Sequence, residues 1–184
     1  MDAMTHCIEA VLTPVVNPPA EAIGLDGAER VGRFLERAVR DGGDREARWH
    51  MMMGSFQGAL AFVKGLGAVH GLSHALGRNS ELKLHHGTLN AVILPHALAM
   101  IGDAAEEKLA RLRRNLGLAA GADLPQFIAD LNARIGLPTG LKAMGVTEPH
   151  WPAARDYAVS DLATLTNAVP FDAAKYDELF ARAL

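Results

Sequence analysis

Residues Lys64–His96, KGLGAVHGLSHALGRNSELKLHHGTLNAVILPH, hold five of the chain's eight histidines, set among glycines and apolar residues. Gly65 and Gly67 let the backbone turn sharply into a short helix carrying His70 and His74. The spacing of four residues between those histidines puts both imidazoles on one helical face. A third candidate follows at His85 or His86. Working outward, MDAMTH at the amino end repeats the spacing with Asp2 and His6. Neutral imidazole nitrogens and a carboxylate oxygen suit Fe(II) or Zn(II), so the pattern reads as an Asp/His/His/His metal set with proton-transfer chemistry beside it.

The rest of the chain has the periodicity of helices. Aromatics make up only 5% and β-branched runs are few, so the chain reads as a single all-helical domain over residues 1–184. The pattern predicts helices over Asp2–Thr13, Ala20–Arg40, from Asp44 to about Val63, from His86 onward with Pro95 kinking it, Ala104–Leu116, Leu124–Ile135, from Thr147 through Tyr157, and Ala173–Ala183. Val15–Pro19 reads as an extended connector, Gly77–Leu84 as a polar loop, and Ser160–Phe171 as mostly irregular. GLGAVH has no third glycine and no preceding strand, which sets aside a dinucleotide-binding turn.

Several residues have a plainer reading. Met51, Met52 and Met53 read as core filling, since thioether ligation suits only soft ions. Cys7 reads as a small buried apolar residue, and His50 as a histidine without a partner. His96 is about three turns beyond His86, too far along the helix to share its site. A net charge of −3 with mixed signs gives no footprint for nucleic acid or an anionic membrane, and no uninterrupted apolar run is long enough to span a bilayer. The lone cysteine excludes an internal disulfide and points to a reducing cytoplasm.

DAMTHCIEA, KGLGAVHGLSHALG and HHGTLNAVILPH together resemble, in order and spacing, the C-terminal helical domain of the iron-containing (group III) alcohol dehydrogenases, a dehydroquinate synthase-like fold. The resemblance continues more weakly through EEKLARLRRNLGL and IGLPTGLKAMGVTE to the final helix. It implies that Asp2, His6, His70 and His86 are metal ligands, with His86 chosen over His85 because it directly precedes glycine in HGTLNA. It also implies that His74 lies beside nicotinamide and substrate as a proton-transfer residue, that Fe(II) is the metal with Zn(II) as the alternative, and that the substrate is a small alcohol or its aldehyde or ketone.

The same resemblance implies a nucleotide-binding α/β domain ahead of DAMTH that holds NAD(P). Since the sequence opens one residue before Asp2, the expectation is a metal-binding half with little dehydrogenase activity and weak NAD(P) affinity on its own. The alternative is a non-catalytic metal-binding or interaction remnant. In either case the surface left by an absent domain would meet a partner or another copy. A metal-dependent hydrolase is a third reading, disfavoured by the absence of an evident second catalytic carboxylate or nucleophile.

Overall fold

The computed structural model describes all 184 residues and contains helices and turns but no strand. In chain order the helices are α1 (Asp2–Leu12), α2 (Pro18–Arg40), α3 (Arg45–Ala61), α4 (Ala68–Gly77), α5 (His86–Ile101), α6 (Glu106–Asn115), α7 (Leu124–Arg134), α8 (Trp151–Ser160) and α9 (Ala173–Ala183). The bundle has two parts around a continuous apolar core: α1 packs with α2 and α3, while α5 is flanked by α4, α7 and α9. Contacts between α1 and α5 join the two parts.

Four helix starts follow directly from their capping residues. Asn17, Asp44, Asp123 and Asp172 accept the backbone N–H groups of Ala20, Ala47, Gln126 and Lys175 at the starts of α2, α3, α7 and α9. Asn17 together with two prolines starts α2 at Pro18, so the connector is shorter than Val15–Pro19. At the far end of α3 the helix tightens to a 3₁₀ turn over Phe62–Lys64, short of the expected Val63 terminus. A 3₁₀ turn, Gly102–Ala105, likewise precedes α6, and Leu116 falls just outside it.

Small residues let α3 approach α1 and α2 closely. A Cβ on Gly58 would lie 3.1 Å from His6 Cβ and 3.2 Å from the Ala3 carbonyl oxygen, and one on Gly54 would lie 2.8 Å from Val31 Cγ2 of α2. Cys7 is fully buried as expected, and burial pushes its thiol up to about 12. The reading of the methionines as core filling holds in part for Met51, which packs against the core, and needs correction for Met52. Because α3 buries its small face of Ala47, Gly54, Gly58 and Ala61, Met52 turns outward at 70% exposure, and Met51 and Met53 are only half-buried. His50 also has partners, stacking on Phe34 at 3.8 Å and sitting 3.0 Å from an Arg30 guanidinium nitrogen.

The span His86–Asn115 passes a length-and-composition test for crossing a membrane, although charged residues from Asp103 onward interrupt its apolar run. Its apolarity has a different use, because Leu89, Val92, Ile93, Leu94, Leu98 and Ile101 are core residues.

Candidate metal centre

Two reciprocal links fix α1 against α4. The buried Lys64 ammonium, just ahead of α4, donates to the carbonyls of Ala10, Val11 and Thr13, which satisfies the open end of α1. In return Glu9 of α1 accepts the Val69 N–H at the open start of α4 at 2.9 Å. Asn167 accepts the neighbouring Ala68 N–H, also at 2.9 Å. Both ends of this junction are therefore satisfied by side chains from the opposite element.

Across the junction the structure gathers Asp2, His6, His70 and His86. One Asp2 carboxylate oxygen lies 3.5 Å from His86 Nε2 and 3.9 Å from His70 Nε2, and the other lies 3.8 Å from His6 Nδ1. Asn90, one turn after His86 on α5, sits in their midst. Its amide nitrogen donates to Asp2 at 2.6 Å and lies 3.2 Å from His70 Nε2 and 3.1 Å from His86 Nε2. Since a carboxylate only accepts, that contact identifies the nitrogen end of the amide, whose one remaining hydrogen is available to either of the two facing imidazole nitrogens but not to both. The partly positive NH₂ group thus takes the place of a cation among converging lone pairs. Three imidazoles and one carboxylate are a donor set suited to a divalent transition metal. The Asn90 carbonyl oxygen is buried and has no hydrogen-bond partner.

The opposite ring nitrogens are also held. His70 Nδ1 meets Glu9 at 2.5 Å, and His86 Nδ1 faces Ser73 Oγ at 3.4 Å. Ser73 uses its own proton on the His70 carbonyl, so its oxygen is free to accept from His86. His6 packs between the His70 ring at 4.6 Å and the Phe62 ring at 5.4 Å. Burial lowers the pKa of both His6 and His86, assisted in each by the nearby His70. Burial alone would raise that of Asp2, but attraction to His6 and the Asn90 bond outweigh it and hold the carboxyl below its usual range. All three shifts favour the protonation states that ligate a metal.

His74 is adjacent but turned away. Its ring stacks near His86 at 5.3 Å, while Nδ1 meets the Asp161 carboxylate at 3.1 Å. It lines a cleft of about 620 Å³ with Phe62, Leu66, Tyr157, Asp161 and Leu162. His85 caps α5 by accepting the Thr88 N–H and stays outside the cluster. His96 borders a separate cavity of about 300 Å³ with Asn132 and Pro138.

Sequence reasoning missed Glu9, Asn90 and Asp161. Local signals existed for two of them: Glu9 continues the Asp2/His6 face by one further turn, and Asn90 lies one turn after His86. No local spacing points to Asp161, because its partner is 87 residues away.

The chain matches the model of the Fe-containing alcohol dehydrogenase family, C-terminal part, over residues 1–184. It is 48% identical over 191 aligned positions to a 4-hydroxybutyrate dehydrogenase from Cupriavidus necator, covering 100% of this chain and 50% of that protein. The fold is similar to that of a 1,3-propanediol oxidoreductase at a TM-score of 0.93 and 30% identity, covering 100% of this chain and 50% of the other. It is also similar to an iron-containing alcohol dehydrogenase from Thermococcus thioreducens, at a TM-score of 0.86 and 28% identity, covering 98% of this chain and 48% of that one. The chain spans about half the length of the curated relatives it matches. It belongs to the Fe-containing alcohol dehydrogenase family and corresponds to the family's C-terminal helical part.

Proposed function

We propose that this chain supplies the metal-binding and proton-transfer half of an NAD(P)-dependent alcohol dehydrogenase, which in reverse reduces an aldehyde or ketone. Asp2, His6, His70 and His86 would hold Fe(II), with Zn(II) as the alternative. The observation that carries this reading is the convergence of Asp2, His70 and His86 on the Asn90 amide nitrogen, with His6 completing the cluster. When bound, the ion supplies Lewis-acid polarisation of the substrate oxygen and NAD(P) supplies the hydride acceptor.

The chain's own residues do the remaining work. His74 donates Nδ1–H to Asp161, which leaves Nε2 to take the hydroxyl proton of an alcohol lying in the cleft. Phe62, Leu66 and Leu162 give that cleft apolar walls suited to a short carbon chain. The substrate is a small alcohol, and the likeness to a 4-hydroxybutyrate dehydrogenase makes 4-hydroxybutyrate the first compound to try. A nucleotide-binding α/β partner completes the reaction, and the helical chain by itself turns over little or no substrate. A cytoplasmic setting fits the single buried thiol.

The test has two parts. Mass spectrometry of anaerobically purified chain should find about one equivalent of iron or zinc, lost in His70→Ala and in His86→Ala. Joined to the nucleotide-binding half of the Cupriavidus necator relative, the chain should oxidise 4-hydroxybutyrate or a similar short alcohol with NAD(P), and a chelator should abolish this. A folded wild-type chain that takes up neither Fe(II) nor Zn(II) would overturn the reading.

A further inference from the structure

We infer that Glu9 is a positioning residue for the metal centre, holding His70 in the tautomer that presents an unprotonated Nε2 to the ion. The inference rests on the proposed reading of the site. Glu9 is 5% exposed, and its salt-bridge contact is with His70, with no lysine or arginine in reach. An unpaired carboxylate is costly at such depth, so its partners indicate what it is for. One oxygen takes the Val69 N–H and the other takes His70 Nδ1 at 2.5 Å.

The far side of the same ring supports this assignment independently. The Asn90 amide nitrogen, identified by its bond to Asp2, lies 3.2 Å from His70 Nε2 and can face it only as a donor, so a proton on Nε2 would find no acceptor there. A donor on Nε2 and an acceptor on Nδ1 leave one neutral tautomer, with its proton on the Glu9 side. Gly67 makes the approach possible: a Cβ there would stand 2.7 Å from the Glu9 oxygen and 2.4 Å from Asn167 Oδ1. Because Asp2, His6 and Glu9 share α1, one rigid helix both contributes ligands and orients a ligand on α4. Glu9 also changes the charge of the centre. A divalent ion balanced by Asp2 and Glu9 sits in a site of net charge near zero, against +1 from the four ligands alone.

Glu9→Gln keeps the shape but leaves one acceptor oxygen for two donors. If that oxygen keeps the Val69 N–H, the amide NH₂ faces Nδ1 and drives the His70 proton to Nε2. Asn167→Ala is the control, because it removes the neighbouring backbone bond at the start of α4 without touching His70.

The experiment measures Zn(II) affinity by chelator competition, and the His70 tautomer in the metal-free chain by ¹⁵N–¹H correlation NMR. In the wild type the proton should be on Nδ1. In Glu9→Gln the affinity should fall about 10- to 100-fold and the Nε2-protonated form should appear. Asn167→Ala should lower the melting temperature with tautomer and affinity unchanged. Wild-type affinity and tautomer in Glu9→Gln would overturn the role of Glu9, as would an equal loss of affinity in Asn167→Ala. A wild-type chain that takes no Zn(II) would instead overturn the metal reading itself.

Discussion

His70 and His74 are one turn apart on α4, yet each faces a different environment. The side chain of His70 is 1% exposed and held on both nitrogens, by Glu9 from α1 and Asn90 from α5. That of His74 is 41% exposed and held on one nitrogen, by Asp161 just beyond α8, while it borders the cleft. Both meet a carboxylate through Nδ1, so the partner type does not separate them. The difference lies on the other side of the ring. Nε2 of His70 faces the Asn90 amide nitrogen among the other candidate ligands, whereas His74 is left with a nitrogen open to a mobile proton.

The largest expected effect tests the inner half of this comparison. His70→Ala strands the Glu9 carboxylate, and removing the hydrogen-bond partner of a buried charged group typically costs about 1.5–3 kcal/mol. Denaturant unfolding of metal-free chain should show that loss, and metal content should fall to background. His74→Ala should shift stability by no more than about 0.5 kcal/mol and leave metal content at the wild-type level. Equal losses in the two variants would mean that the histidines are not divided as the geometry divides them.

How much of this was legible beforehand depended on distance along the chain. Helical spacing alone paired Asp2 with His6 and His70 with His74, and the final helix was readable from Asp172 to Ala183. The doubled histidine was ambiguous by spacing, and what separates the pair is local: His85 is spent on capping α5. Long-range pairings were not legible: Glu9 could be placed on the Asp2/His6 face of α1 but not paired with His70, and nothing near His74 encodes Asp161. The methionines of α3 misled for a related reason. Burial there follows the glycine and alanine face that fits against α1 and α2, so the large apolar side chains of Trp49, Met52 and Phe56 are left outside.

The outer half of the comparison predicts an effect on rate without one on binding. In the chain joined to a nucleotide-binding half, His74→Ala should lower kcat by about 100-fold at unchanged metal content. Asp161→Asn should cost as much, about 100-fold, because its single amide oxygen must serve both the Ala163 N–H and Nδ1–H, and an NH₂ group facing Nδ1 drives the His74 proton onto Nε2. A rate unaffected in both variants would remove His74 from proton transfer.

The smallest effect is a pH slope, and it belongs to the buried cluster. His6 and His86 have folded-state pKa values below the ordinary 6.5, with burial as the main cause. Below about pH 6.5 the unfolded chain therefore binds more protons than the folded chain at these two positions, and stability falls as the pH drops. Asp2 acts in the same direction at lower pH: its depressed pKa gives stability that is present above the ordinary 3.8 and lost as the pH falls through the folded value. Melting temperatures of metal-free chain between pH 7 and pH 5 should fall, and His6→Asn should flatten that fall. Adding Zn(II) should steepen it, since protons and metal then compete for the same lone pairs. If His6→Asn left the slope unchanged, His6 of α1 would not be where protonation and folding are linked.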